Sequence, residues 1–239
     1  MEKLIDYIEK TLNESIFDDE DTFLDPGRDK KIVESWIKEN YEFDEGLKIS
    51  DDFIVDCDGS VVVENLNITS FTNGLFRWGK VSGYFDCSEC KNLKYLEGAP
   101  TEVNYSFVCS VCDKLSSLEG APERVGGSFD CKGCKKLKSL EGGPKRVGGN
   151  FNCSGCENLR SLEGAPEEIS RDFVCSDCEN LRSLEGAPKH VGRVFNCSFC
   201  KNLTSLEGAP EFVGREIWCC GCKKIKLTDS DYKKYKIIL

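Results

Sequence analysis

Ser128-Phe129-Asp130-Cys131-Lys132-Gly133-Cys134-Lys135-Lys136-Leu137-Lys138-Ser139-Leu140-Glu141-Gly142-Gly143-Pro144-Lys145-Arg146-Val147-Gly148-Gly149 is one copy of a pattern that the chain repeats. Its neighbours keep the same order at a spacing of 22 residues. The first Cys of each C-x2-C pair falls at 87, 109, 131, 153, 175 and 197, and a degenerate seventh copy opens at Cys219. A fixed period in the twenties marks a solenoid, in which each copy is one coil stacked on the last. Phe129 and Cys131 alternate with polar neighbours, the period of a short strand with one buried face. Cys134, Leu137 and Leu140 then recur every three residues, which predicts a turn and an irregular or 3₁₀-like return. Gly142, Gly143 and Pro144 reverse the chain, Val147 anchors it inward, and Gly148-Gly149 leads into the next strand. One coil has too few apolar side chains to offset the ordering of its backbone, so the array folds together or not at all.

Working outward, residues 84–222 form the regular array and residues 223–239, with Ile225, Leu227, Tyr232 and Tyr235, form a C-terminal cap. Residues 51–83 read as a hairpin cap followed by an imperfect coil. Phe53-Ile54-Val55-Asp56-Cys57 and Ser60-Val61-Val62-Val63 flank Asp58-Gly59, a pair suited to a two-residue hairpin turn, and Leu66, Ile68 and Phe71 follow. Such a hairpin would cover the open end of a solenoid, where strand groups and an apolar cross-section are otherwise exposed. Residues 1–50 read as an acidic helical segment. Leu4, Ile5, Ile8 and Leu12 follow helical spacing, as do Ile32, Val33, Trp36 and Ile37, with a turn at Asp25-Pro26-Gly27 between the two runs. The second helix is expected to dock on the first coil through Trp36. The fold class is α+β, a solenoid with one parallel strand per 22-residue coil, an N-terminal helical segment and a hairpin cap.

The chain has 239 residues and a net charge of -10. Residues 1–60 hold 19 Asp and Glu against 7 Lys and Arg, so the acidity lies there and the array is close to neutral. Neither part offers the basic face of a nucleic-acid binder. No run approaches the length of a membrane span. The first residues, Met1-Glu2-Lys3-Leu4-Ile5-Asp6, carry acids where a secretory signal has a basic stretch, so a cytosolic location and free thiols are expected.

Sixteen cysteines raise the question of metal. Cys131-x2-Cys134-x18-Cys153-x2-Cys156 has the spacing of a four-thiolate zinc site, and a zinc-stabilised structural protein is the rival reading. Against it, the pairs number seven, which leaves a remainder, and the cysteines share their period with Phe, Leu, Pro and Val. Thiols that pack inward account for all the pairs at once, so no metal ligand and no cofactor is assigned. The glutamates of L-E-G (Glu97, Glu119, Glu141, Glu163, Glu185, Glu207) are expected to accept turn N–H groups and to be offset by Lys94, Lys138, Arg160 and Arg182, three residues upstream. No catalytic apparatus is legible. His190 has no nucleophile held beside it by any recognisable motif, no phosphate-binding glycine loop precedes a helix, and the serines Ser88, Ser110, Ser154, Ser176 and Ser198 lack a paired base.

The pattern resembles the leucine-rich repeat family, whose strand and turn read L-x-x-L-x-L-x-x-N/C-x-x-L. Phe129, Cys131, Cys134 and Leu137 occupy the last four marked positions, and six consecutive copies keep the register. The phrase L-E-G-A-P-x-x-V-G-G-x-F, with a leader such as Leu12-Asn13-Glu14-Ser15-Ile16-Phe17-Asp18-Asp19, looks like the short-repeat proteins encoded by large tailed bacteriophages. It departs from the wider family in having Phe where Leu is usual and Cys where many copies have Asn. The resemblance implies a protein-binding scaffold, acting in a host cytoplasm on a host protein, with a defence component as the natural target.

In a solenoid the outward strand side chains are free to specialise. The column after Phe reads Asp86, Val108, Asp130, Asn152, Val174, Asn196, Trp218, and the column before it Tyr84, Ser106, Ser128, Asn150, Asp172, Val194, Glu216. One position earlier, Arg171, Arg193 and Arg215 fall in a row. With Val174, Val194, Asn196, Phe199 and Trp218 they form the candidate partner-binding surface, since Arg and Trp are enriched at interface hot spots. Two alternatives stand beside this reading: Trp218 packs under the C-terminal cap, or the arginine row sequesters a small signalling ligand.

Overall fold

A computed structural model of the chain describes residues 26–44, 46–64, 67–71 and 76–239. The first of the two helices expected from the sequence lies outside the described residues, as does Leu66. Helix α1 (Pro26–Asn40) opens on proline, which suits a first helical position because its missing N–H would have no partner there. It buries Val33 and Ile37 and sets Trp36 against Tyr41 and Phe76, at 5.9 and 5.7 Å between ring centroids. Strands β1 (Tyr41–Phe43), β2 (Leu47–Ile49), β3 (Ile54–Cys57), β4 (Val61–Val63) and β5 (Arg77–Val81) follow. The end of the segment read as helical is therefore extended. Its alternation of Tyr41 and Phe43 with polar residues suits a strand.

From residue 84 each coil contributes two very short strands, where one was expected. One carries the Phe column: β6 (Phe85–Asp86), β8 (Phe107–Val108), β10 (Phe129–Asp130), β12 (Phe151–Asn152), β14 (Phe173–Val174), β16 (Val194–Asn196) and β18 (Glu216–Trp218). The other carries the inward Val or Ile: β7 (Glu102–Val103), β9 (Arg124–Val125), β11 (Arg146–Val147), β13 (Glu168–Ile169), β15 (His190–Val191) and β17 (Phe212–Val213). The chain ends in α2 (Asp229–Lys234) and β19 (Ile237–Ile238). The strands assemble into a ten-stranded sheet, β1-β4-β6-β8-β10-β12-β14-β16-β18-β19, and a nine-stranded sheet, β17-β15-β13-β11-β9-β7-β5-β3-β2. Within the array every pairing is parallel and joins residues 22 apart, such as Phe129 with Phe151 and Val125 with Val147.

The interior consists of columns. Six phenyl rings, Phe85 to Phe195, stack with centroids 5.2–5.6 Å apart. The cysteines of each pair and the two leucines of each return are buried beside them. Tyr41, Phe71, Phe76 and Trp78 close the first end with edge-on contacts, Trp78 lying 5.8 Å from Phe85. Ile217 and then Ile237 continue the phenyl column at the other end. There α2 is held by a capping box between Thr228 and Asp231, and the Tyr235 hydroxyl donates to the Pro210 carbonyl at 2.6 Å. The close approach of successive coils dictates glycine at corners. At Gly142, φ is +78° and a Cβ would lie 2.5 Å from the Glu119 nitrogen. At Gly148 it would lie 2.2 Å from the Gly126 carbonyl oxygen.

The cap is antiparallel, as expected of a hairpin, but other residues build it. Strands β3 and β4, which flank Asp58-Gly59, lie in different sheets: β3 pairs with β2 and β5, and β4 with β1 and β6. Cys57 aligns with Val81 and Val61 with Phe85, so Asp58-Gly59 is a coil corner like Ser82-Gly83 and the repeat begins one coil earlier than its motif. A tight turn would have paired the two segments with each other and pulled Cys57 and Val61 off the inward columns. The hairpin is β2–β3, with Leu47 opposite Cys57 and Ile49 opposite Val55, and β1 caps the other sheet.

Replacing Phe151, fully buried in the middle of the phenyl column, by Ala is expected to lower stability by about 3–5 kcal/mol. Urea denaturation followed by circular dichroism measures this, and a loss near zero would contradict the stacked core.

Candidate interaction surface

The paired thiols have a structural role in the stack. In six of the seven pairs the second Cys donates its S–H to the carbonyl of the first Cys one coil back: Cys112 to Cys87, Cys134 to Cys109, Cys156 to Cys131, Cys178 to Cys153, Cys200 to Cys175 and Cys222 to Cys197, at 3.1–3.3 Å. These thiols therefore occupy the turn position where an acceptor would otherwise go unmet, with a weak donor that fits a dry interior. Burial pushes the thiols of Cys90 and Cys109 up to about 12 and that of Cys219 to about 11. Among the described residues no group of three or more His, Cys, Asp or Glu could hold a metal ion. Fifteen of the sixteen cysteines are buried, and Cys220 is half-buried.

The L-E-G glutamates do not accept turn N–H groups and are not paired with Lys94, Lys138, Arg160 or Arg182. Among the described residues, the carboxylate of Glu141 alone of the six is engaged, taking the Ser139 hydroxyl at 3.4 Å. Charges pair instead along the stacking axis, between equivalent positions 22 residues apart: Lys145 with Glu123 (2.8 Å), Lys189 with Glu167 (3.0 Å), Lys135 with Glu157 (3.0 Å) and Lys201 with Glu179. The reason is geometric. Residues three apart on an irregular return do not share a face as they do on a helix, whereas successive coils lie only about 5 Å apart.

The candidate residues all lie on the outer side of the ten-stranded sheet or its adjoining corners. Val174, Asn196 and Trp218 are neighbours across β14, β16 and β18, and Val194 lies beside Glu216. Arg193 N–H donates to the Arg171 carbonyl and Arg215 N–H to the Arg193 carbonyl, at 3.0 and 2.8 Å, so the three arginines form one exposed row. Arg193 Nε lies 3.6 Å from Asp172 Oδ1, while Arg171 and Arg215 make no salt bridge among the described residues. Trp218 remains 39% exposed, with its indole N–H donating to Glu216 Oε1 at 3.1 Å, so the cap does not cover it. Phe199 is 52% exposed, and its ring lies over Gly221, where a Cβ would come within 2.5 Å of it. His190 is on the other sheet, its ring 6.2 Å from that of Phe212.

The sequence reading passed over Val111. It is 43% exposed and has a left-handed backbone (φ +58°), as does Phe199 (φ +59°). Gly133, Gly155 and Gly221 in the same column share this conformation, and their identity was the available signal that the column is left-handed. Scans against protein-family models, curated proteins and solved structures returned no match. The architecture itself defines the class: a β-solenoid of parallel 22-residue coils with a leucine-rich-repeat-like arrangement, consistent with a protein-interaction scaffold in general.

Thiols of an unfolded chain ionise at about 8.5, whereas Cys90, Cys109 and Cys219 stay protonated in the fold to about 11–12. The folded state thus keeps protons that the unfolded state gives up. Stability is therefore expected to be undiminished below about pH 8.5 and to fall steadily as pH rises toward about 12. Melting temperatures across that range check it, and a flat profile to about pH 11 would contradict the burial of these three thiols in their protonated form. At neutral pH a thiol reagent should label Cys220 alone at an appreciable rate.

Proposed function

We propose that the protein is a non-enzymatic binding scaffold that engages a host protein through the outer face of its ten-stranded sheet, near the C-terminal end of the array. The observation that carries this reading is the exposed arginine row, Arg171, Arg193 and Arg215, running beside the exposed Trp218 and Phe199. Arginine and tryptophan supply most interface hot spots because each combines a large contact area with directed polar groups. The neighbouring half-buried Val174 and Val194 would exclude water around them. The resemblance of the L-E-G-A-P coil to short-repeat proteins of large tailed bacteriophages supports a host cytoplasm as the setting and a defence component as the target, whose occupation would block it. A nucleic-acid or membrane partner finds no support in the near-neutral array. Among the described residues no helix is long and apolar enough to cross a membrane.

A second reading, capture of a small anionic signalling ligand, draws on Arg171 and Arg215, which have no salt-bridge partner among the described residues. A protein partner would come down from host lysate as a stoichiometric band, whereas a small ligand would appear in the denatured filtrate of the purified protein. Changing Arg193 and Trp218 together to Ala is expected to cost about 2 kcal/mol or more of affinity, roughly a thirtyfold loss, with the fold retained. Titration of the captured partner against the variant measures this, and unchanged affinity would remove the surface. Chelator treatment is expected to leave the melting temperature unchanged, because the thiols act as hydrogen-bond donors; a collapse would restore the zinc-stabilised alternative.

A further inference from the structure

Every outward position near the Phe column has a structural task, and a few residues do not perform it. In the column before Phe, the side chains of Ser106, Ser128, Asn150 and Asp172 accept the backbone N–H of the next coil's equivalent residue at 3.1–3.2 Å. Val194 has no acceptor to offer Glu216, and among the described residues the exposed Tyr84 makes no such bond to Ser106. In the column after Phe, Asp86, Asp130, Asn152 and Asn196 accept the N–H two residues on and close the turn, at 2.8–3.0 Å. Val108, Val174 and Trp218 cannot, having no side-chain acceptor. In the left-handed column, where Gly133, Gly155 and Gly221 sit without strain, four side chains stand: the charged Glu89 and Asp177, and Val111 and Phe199, which put a β-branched and a bulky aromatic group there.

Besides Tyr84, Glu89 and Asp177, six of the departing residues, Val108, Val111, Val174, Val194, Phe199 and Trp218, are apolar, and none of the six gains full burial by its departure. They fall into two groups: Val108 and Val111 on one coil, and Val174, Val194, Phe199 and Trp218 on the last three. The two coils that begin at Cys131 and Cys153 perform every task. Apolar side chains that forgo hydrogen bonds and strain the backbone, and that stay accessible, are explained by a contact outside the chain. We infer that the two groups are anchor sites for a single polypeptide segment running along the stacking axis. The segment carries apolar side chains at both ends and acidic groups where it crosses Arg171, Arg193 and Arg215. Four coils separate Val111 from Phe199, about 20 Å, which about six or seven extended residues span. The acidic character follows from charge complementarity with the arginine row.

This inference rests on the reading that the outer face binds protein, and the test separates the two. A variant carrying V108D, V111N, V174N, V194D, F199N and W218N restores the task at each position, using Asn in the left-handed column because it enters that region readily. It is expected to melt above the wild-type chain. A displayed library of random peptides panned on the full-length protein should enrich sequences that pair acidic with aromatic or aliphatic residues. Those peptides should bind the restored variant at least about tenfold more weakly. A second variant, R171E/R193E/R215E, should lose the acidic preference. A restored variant no more stable than wild type, or one that keeps the peptides, would overturn the inference alone. So would enriched peptides without acids, or a concentration-dependent dimer abolished in the restored variant, which would make a second copy the occupant. If the wild-type chain enriches no peptide at all, the protein-binding reading falls with it.

Discussion

Stacking of one coil flat on the next is the constraint to which the rest of the structure answers. With phenyl centroids 5.2–5.6 Å apart, little room remains between coils for anything but matched side chains and hydrogen-bonded backbone. That closeness explains why Gly148 faces the Gly126 carbonyl with no Cβ between them, and why Gly142 takes a left-handed turn against Glu119. It also explains why two-residue strands suffice. Each donates to and accepts from both neighbours, so the sheets are long across the strands although each strand is minimal. No single coil could meet these bonds alone. The two ends need separate covers, and they receive different ones: antiparallel β1 and β2 with α1 and an aromatic cluster at one end, α2 and parallel β19 at the other.

The same spacing gives the cysteines their role. Paired thiols at C-x2-C spacing suggest metal when considered two pairs at a time. Within the stack, the second thiol of every pair after the first meets a carbonyl one coil back, and each first thiol fills a small inward strand position. A protonated thiol suits a dry interior better than a hydroxyl would, since it is nearly apolar yet still donates. Burial then pushes the thiols of Cys90, Cys109 and Cys219 up, which makes them slow nucleophiles. Packing and chemistry thus reinforce each other along the column.

Because the interior repeats so strictly, variety is confined to the outer positions. Most of these are also occupied by tasks: Ser128 and Asn150 bond the next coil, Asp130 and Asn152 close turns, and Lys145 pairs with Glu123. Specialisation stands out as departure from a task, which is why the apolar residues near the two ends of the face draw attention where serines and asparagines do not. The arginine row lies beside the larger of these departures, so charge and apolar area coincide on the last three coils.

The 22-residue period, the inward Phe, Cys, Leu and Val columns, the glycine corners and the Trp36 helix could all be read from the chain, because alternation and spacing are local properties. The candidate surface was legible as far as its columns: Arg171, Arg193 and Arg215 do form a row, and Trp218 and Phe199 are exposed. What the tertiary structure alone decided was pairing. Asp58-Gly59 has the composition of a hairpin turn, yet it is a corner, since the coil from Val81 onward offers Cys57 and Val61 partners that a hairpin would deny them. Glu141 and Lys138 are close in sequence but charges pair across coils, and Val111 and Phe199 are strained only because the turn they occupy is left-handed on every coil. In each case the deciding neighbour lies about 22 residues away, where no local pattern reaches.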